Sequence, residues 1–238
     1  MKRQDIRIGH IPAVLWGEVS ERMFIAVHGD QSDKTDEVIA VLAEEAAKKG
    51  YQTLSFDLPE HGERKGEQEL CKPQNCVAEL KEILAYIKDR GIKTPVSLFG
   101  CSIGAWFSML AFEEEELSQA LFLSPVVDME RIISNMMTWF SVTETQLMQE
   151  QEVRTPVKTL YWDYYQYVRE HPVSWNHRTA LLYGEADNLC EYEYVKGFAD
   201  RCHAKMTVLK AGEHFFHTRE QLTFLRQWLQ ERIMDIQE

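Results

Sequence analysis

From Met23 onward the chain keeps switching its hydrophobic period, and that switching limits the available folds more than any other feature. The run MFIAVHG is short, rich in β-formers and closes on Gly29. TDEVIAVLAEEAAKKG then spaces its apolar residues for a helix, with Asp36 and Glu37 at its start, Lys48 and Lys49 in its last turn and Gly50 as its stop. YQTLSFDLPEHG returns to strand and loop, and NCVAELKEILAYIKDRG is again an amphipathic helix, stopped by Gly91. VSLFGCSIGAWFSMLAF packs a strand and a helix into one apolar stretch. QALFLSP, TALLYGEAD and KMTVLKAGEH read as further strands, and EYVKGFADRCHA and REQLTFLRQWLQERI as further helices. Strands separated by helices in this rhythm pair in parallel, with the helices crossing over the faces of the sheet. The fold class expected is therefore α/β, a mostly parallel central sheet flanked by helices. No internal repeat is present.

Two stretches break the rhythm. Glu113 to Glu116 is a run of acids that repel one another and stay in water, so it reads as a solvated helix end. The longer break covers residues 128–177, helical in pattern and dense in Met, Trp and Tyr, between two strands. It reads as an inserted helical cap, leaving residues 1–127 and 178–238 as the core. The aromatics of TLYWDYYQYVREH fall on several helical faces at once, so they cannot all face the core. Trp139, Phe140, Tyr161, Trp162 and Tyr165 are the candidates for lining an apolar cavity above a site.

The joint Gly100-Cys101-Ser102-Ile103-Gly104 is all that separates the strand Val96–Phe99 from the helix that follows. A turn this sharp brings two backbones together, which glycine on either side permits, and pushes the apex side chain outward. Ser102 is thus placed as a nucleophile. A serine hydroxyl needs a base to take its proton, an acid to orient that base, and donors for the oxyanion. In an open α/β sheet these groups gather on loops beyond the carboxyl ends of the strands, in the chain order serine, acid, histidine. Gly184-Glu185-Ala186-Asp187 follows one strand and Ala211-Gly212-Glu213-His214 another, so Asp187 and His214 are the candidate acid and base. Glu185 and Asp128 are rivals for the acid and His217 for the base. His28-Gly29-Asp30 ends an earlier strand, where a glycine lets the backbone turn its N–H groups toward the site. The N–H of Ile103, at the positive end of a helix, is the second oxyanion donor.

At this point the chain resembles the α/β-hydrolase superfamily, in particular its cytosolic carboxylesterase and acyl-hydrolase members. The resemblance rests on VHGD, FDLPEHGER, LFGCSIGAWFSM, LYGEADNL and AGEHFF, which together run from residue 27 to residue 216. It implies an oxyanion hole made by the backbone N–H groups of Asp30 and Ile103, and a structural turn held by Asp57, His61 and Gly62. Here Glu60 stands where glycine is commoner, and the acid Asp30 follows the H-G pair where many relatives are apolar. The activity implied is hydrolysis of a carboxylic ester, or a thioester, of a modest apolar or aromatic acid through Ser102, His214 and Asp187. The partner is a small-molecule ester, and no metal or organic cofactor is called for. A non-catalytic binder, or cleavage of an amide, peptide or carbon–carbon bond on the same scaffold, are the alternatives.

Charge and cysteine content narrow the partners further. A formal net charge of −12 argues against an extended phosphate-binding surface, so nucleic acid is not expected. The first residues interrupt their apolar positions with Asp5, Arg7 and His10, unlike a secretory leader, and no apolar run reaches the ~20 residues of a membrane span. A cytoplasmic protein without membrane partners is the expectation. Cys71, Cys76, Cys101, Cys190 and Cys202 are scattered, with no C-x-x-C pair, and read as reduced thiols. His214 and His217 lack ligands at a fitting spacing, so no metal site is expected. The sequence leaves the oligomeric state open.

Overall fold

The computed structural model describes residues 1–67 and 70–235. Its centre is an eight-stranded sheet built from β1 (Arg3–Ile8), β2 (Ile11–Trp16), β3 (Met23–Val27), β4 (Gln52–Phe56), β5 (Val96–Cys101), β6 (Leu117–Leu123), β9 (Thr179–Gly184) and β10 (Lys205–Leu209). The spatial order is β1-β2-β4-β3-β5-β6-β9-β10. From β4 to β10 every neighbour is parallel, while β1 and β2 form an antiparallel hairpin whose second strand pairs antiparallel with β4. The central strands are buried on both faces, which is why they read as continuous apolar runs.

Helices cover both faces. On one, α1 (Glu37–Lys48) and α8 (Arg219–Arg232) pack Leu42, Ala46, Leu225 and Trp228 against Phe24, Phe99 and Leu121. On the other, α2 (Pro73–Asp89), α3 (Ile103–Ala111) and α7 (Tyr192–Arg201) pack Leu80, Phe107 and Phe198 against Leu98, Phe122 and Leu181. Caps fix the helix starts: the Asp36 carboxylate accepts from Val38 N–H, and Thr218 and Gln221 form a reciprocal capping box at α8. Among the described residues no helix is long and apolar enough to cross a membrane.

Two features depart from the sequence reading. The hairpin β1–β2 was not legible because β1 is mostly exposed and polar and β2 carries Pro12, which weakens a strand pattern. The stretch between β6 and β9 holds α4 (Met129–Trp139), α5 (Glu144–Glu150) and α6 (Trp162–Glu170), but also a small antiparallel pair, β7 (Glu152–Arg154) and β8 (Thr159–Tyr161). The run Glu113–Glu116 lies in the turn after α3, outside the helix itself.

Candidate active site

The strand order reverses about β3, so the loops after β3 and β5 diverge to opposite sides of the sheet and leave a crevice at their carboxyl ends. Ser102 occupies the apex of the β5–α3 joint with φ of 50° and ψ of −119°, a left-handed conformation that a non-glycine residue adopts only under constraint. The constraint is visible on both sides. A Cβ on Gly104 would stand 2.3 Å from the His28 carbonyl oxygen, and one on Gly100 would stand 2.6 Å from Ala105 Cα. Hydrogen bonds from Ser102 N–H to the Leu123 carbonyl (3.0 Å) and from Val126 N–H to the Ser102 carbonyl (3.1 Å) pin the apex to the end of β6.

The structure brings Ser102, His214 and Asp187 together. Ser102 Oγ lies 2.8 Å from His214 Nε2, and His214 Nδ1 lies 2.7 Å from Asp187 Oδ2. The other Asp187 oxygen accepts from the N–H groups of Leu189 and Cys190, both at 2.9 Å, so the carboxylate is held from two directions. With Oδ2 accepting from Nδ1–H, the His214 tautomer leaves Nε2 free to accept the serine proton. The loops carrying the acid and the base are tied to each other by Glu185 N–H to the Leu209 carbonyl (2.9 Å) and Ala186 N–H to the Gly212 carbonyl (2.7 Å).

The rivals are engaged elsewhere. Glu185 accepts from Ala211 N–H at 3.1 Å, and Asp128 caps α4 by accepting from Arg131 N–H at 2.9 Å. His217 Nδ1 donates to the Phe215 carbonyl at 2.8 Å. His28 is buried and structural: its Nδ1–H donates to the Gly29 carbonyl at 2.8 Å and its Nε2 accepts from Leu58 N–H at 3.1 Å. Asp187, His214 and Cys190 also bring three ligand-type atoms within 4.8 Å of one another. Two of those atoms already share a hydrogen bond and burial pushes the Cys190 thiol up, which suits a proton relay better than a cation.

Asp30 and Ile103 both flank the serine. Among the described residues neither the Asp30 N–H nor the Ile103 N–H has an acceptor. For Ile103 that follows from its place as the first residue of α3. The Asp30 carboxylate is drawn aside: Oδ1 accepts from His61 Nε2 at 3.3 Å and from Lys158 Nζ at 2.7 Å. The His61 bond, helped by Lys158, holds this carboxyl well below the usual range despite its partial burial. Neither partner of Asp30 was foreseen. The sequence pattern puts His61 in a turn, and Lys158 lies 128 positions away in the β7–β8 connection, which no local pattern signals. Asp57 holds that turn, accepting from Lys34 N–H and Nζ (2.9 and 2.6 Å) and from Glu63 N–H (3.0 Å).

Ser102 and His214 open onto a cavity of about 480 Å³. Its apolar wall is Val38, Leu123, Leu189, Phe215 and Phe216, and its polar rim is Asp30, Gln31, Ser32 and Asp36. Trp139, Phe140, Tyr161, Trp162 and Tyr165, expected on this wall, are not on it. Trp139 is 60% exposed, and Phe140 ends α4 half-buried. Tyr161 lies under the Lys72 ammonium, 4.3 Å from the ring. Trp162 and Tyr165 pack on each other, with centroids 6.0 Å apart, and into the core beside α2 and α3. Their apolar area is satisfied against the sheet-covering helices, which removes any need to line a pocket. Phe215 and Phe216 were the missed signal: two aromatics directly after the candidate base cannot both turn inward, and Phe215 is 57% exposed.

Comparison with known proteins bears on the fold and the family. A family model described as serine aminopeptidase, S33, matches residues 20–170. Among curated proteins no relative matches the chain. Among solved structures, Est1E from Butyrivibrio proteoclasticus with ferulic acid bound is 18% identical, covers 96% of each chain and superposes with a TM-score of 0.76. Alpha/beta hydrolase domain-containing protein 10 from mouse is 16% identical over 98% of each chain, with a TM-score of 0.72. The Pyrococcus furiosus esterase Pf2001 is 20% identical, over 97% of this chain and 90% of its own, with a TM-score of 0.68. At these identities the likeness is one of fold. The family match spans the loops of Asp30 and Ser102, and with the sheet order it shows that the chain belongs to the serine aminopeptidase S33 family of α/β hydrolases.

Proposed function

We propose that this α/β hydrolase is a serine esterase acting on a carboxylic ester, or a thioester, of a modest apolar or aromatic acid. The observation that carries the reading is the continuous hydrogen-bonded line Ser102–His214–Asp187 at the mouth of a half-apolar cavity. Ser102 Oγ attacks the acyl carbonyl as its proton passes to His214 Nε2. Asp187 keeps the other ring proton on Nδ1 and stabilises the imidazolium. The N–H groups of Asp30 and Ile103 receive the oxyanion, and the sidelong engagement of the Asp30 carboxylate keeps its charge off that oxygen. The alcohol leaves with the proton from His214, and water repeats the sequence on the acyl-enzyme.

Ester chemistry is favoured over aminopeptidase chemistry by the state of the acids on the rim. An aminopeptidase needs a carboxylate for the substrate ammonium, yet Asp30 is committed to His61 and Lys158, and Asp36 to Ser32 and the N–H of Val38. The wall of Leu123, Leu189 and Phe216 suits an apolar acyl group instead. Because Est1E is described with ferulic acid bound, phenolic and aryl acids head the acyl series to be tested. Residues 128–177 act as a cap at the edge of the site, with Lys158 joining it to the oxyanion loop.

Ser102→Ala should lower kcat by roughly 10⁴-fold or more while the thermal midpoint stays near that of the wild type. A matched panel of ester, thioester and amide substrates should show turnover of the first two. Ester turnover retained in Ser102→Ala, or a preference for the amide, contradicts the reading.

A further inference from the structure

Two cysteines beside the Asp30 loop take no part in the line of groups at Ser102. Cys71 lies in the coil before α2, and Cys76 sits in the first turn of that helix, its N–H donating to the Lys72 carbonyl at 3.0 Å. Their sulfurs are 3.6 Å apart, both residues are buried, and neither is in a disulfide. The other three cysteines are also free, and burial pushes the thiols of Cys101, Cys190 and Cys202 up.

The surroundings of the pair are unlike those of the other three. His61 donates from both ring nitrogens, Nδ1 to the Pro59 carbonyl (2.7 Å) and Nε2 to Asp30, so it is an imidazolium. It interacts with the Cys71 sulfur, and the Lys158 ammonium adds a second positive charge from the β7–β8 connection. Glu60, whose carboxylate accepts from Cys71 N–H at 2.7 Å, comes from the loop after β4. Tyr164 faces the pair from α6, and Glu79 and Arg64 face Cys76 from α2 and the loop. The hydrogen bond with Cys76, followed by His61 and Lys158, pulls the Cys71 thiol below the usual range against the effect of burial. Burial and the Cys71 charge push the Cys76 thiol up, so it keeps its proton. One thiol drawn toward its thiolate in contact with one held toward its protonated form is the division of roles that stepwise disulfide closure requires.

We propose that Cys71 and Cys76 form a dithiol site for hydroperoxides, with Cys71 as the attacking sulfur and Cys76 as the resolving one. The Cys71 thiolate attacks the outer peroxide oxygen; the S–O bond forms, the O–O bond breaks, and the departing oxide takes a proton from His61 or water. Cys76 then attacks the Cys71 sulfenic acid; the S–S bond forms, the S–O bond breaks, and the hydroxide leaves as water with the Cys76 proton. Two thiols are oxidised and one peroxide is reduced to an alcohol, or to water, with a further water released. The sulfurs must close from 3.6 Å to about 2.05 Å. Cys71 lies in coil, whereas Cys76 is held in the helix, so closure requires a shift of the coil. The site stands on its own and does not depend on the esterase reading.

Hydrogen peroxide added to the folded, reduced wild-type protein, followed by thiol trapping and peptide mapping, tests it. The expected result is a mass loss of about 2 Da, reversed by dithiothreitol, and a peptide linked between Cys71 and Cys76. In Cys76→Ser, dimedone should trap a sulfenic acid on Cys71. In Cys71→Ser, dimedone labelling of Cys76 should fall roughly tenfold or more below that. Absence of the linked peptide in folded wild-type protein, linkage through another cysteine, or equal trapping of Cys76 in Cys71→Ser overturns the proposal. The wild-type mapping stands even where a variant fails to fold.

Discussion

His28 and His61, with ring centroids 5.1 Å apart, hold different charge states for reasons visible atom by atom. His28 receives one hydrogen bond and gives one, so its ring is neutral; burial lowers its pKa to about 4. Burial also acts to lower that of His61, but the bonds to Asp30, Cys71 and the Pro59 carbonyl outweigh it and raise the value to about 10. The signs then follow from linkage. As pH falls from 6.5 toward 4 the unfolded chain protonates His28 before the folded one does, which lowers stability by on the order of 3 kcal/mol. The His61 contribution is complete below its unfolded value of 6.5 and is lost as pH rises through about 10. Between them the two residues place a stability maximum near pH 6.5, measurable as the urea midpoint across pH. His28→Gln should flatten the acid limb and His61→Gln the alkaline limb; an acid limb unchanged in His28→Gln contradicts the assignment. The sequence places both residues in loops, but the charge of His61 depends on Asp30 and Cys71 meeting it in space, which no local spacing encodes.

The strand–turn–helix unit around Ser102 is the element on which the site depends, and it was also the most legible. Glycines at both ends of the pentapeptide, an apolar run before it and another after it, state the close crossing directly. Gly104→Ala sets a Cβ against the backbone of β3, 2.3 Å from the His28 oxygen and 2.6 Å from that of Val27, so α3 has to move away. We expect a loss of about 3 kcal/mol in stability and, because Ser102 and Asp30 shift together, at least a hundredfold loss of ester turnover. Wild-type stability and turnover in Gly104→Ala contradict this account of the turn. The loops carrying Asp187 and His214 were legible for the same reason, each following a short apolar strand. The aromatics of α6 were misplaced because a helix with aromatics all round leaves open which face is covered. Trp106 stacks on Tyr164 at 6.1 Å and thereby turns that face toward α3 and away from the cavity.

At the scale of the molecule, the alternation of strand and helix gave the sheet and its helical layers, while the antiparallel hairpin at its edge and the β7–β8 pair carried too few patterned residues to be read. The sheet order converts that chain pattern into a site. The central strands β3 and β5 present Asp30 and Ser102, and β9 and the edge strand β10 present Asp187 and His214 across the same end. The proposed function requires that this assembly make Ser102 a nucleophile. Intact-mass spectrometry after fluorophosphonate treatment, with peptide mapping of the adduct, tests it most directly. Rapid single labelling on Ser102 that disappears in His214→Ala is the expected result; a folded wild-type protein that stays unlabelled, or is labelled on another residue, contradicts an activated Ser102.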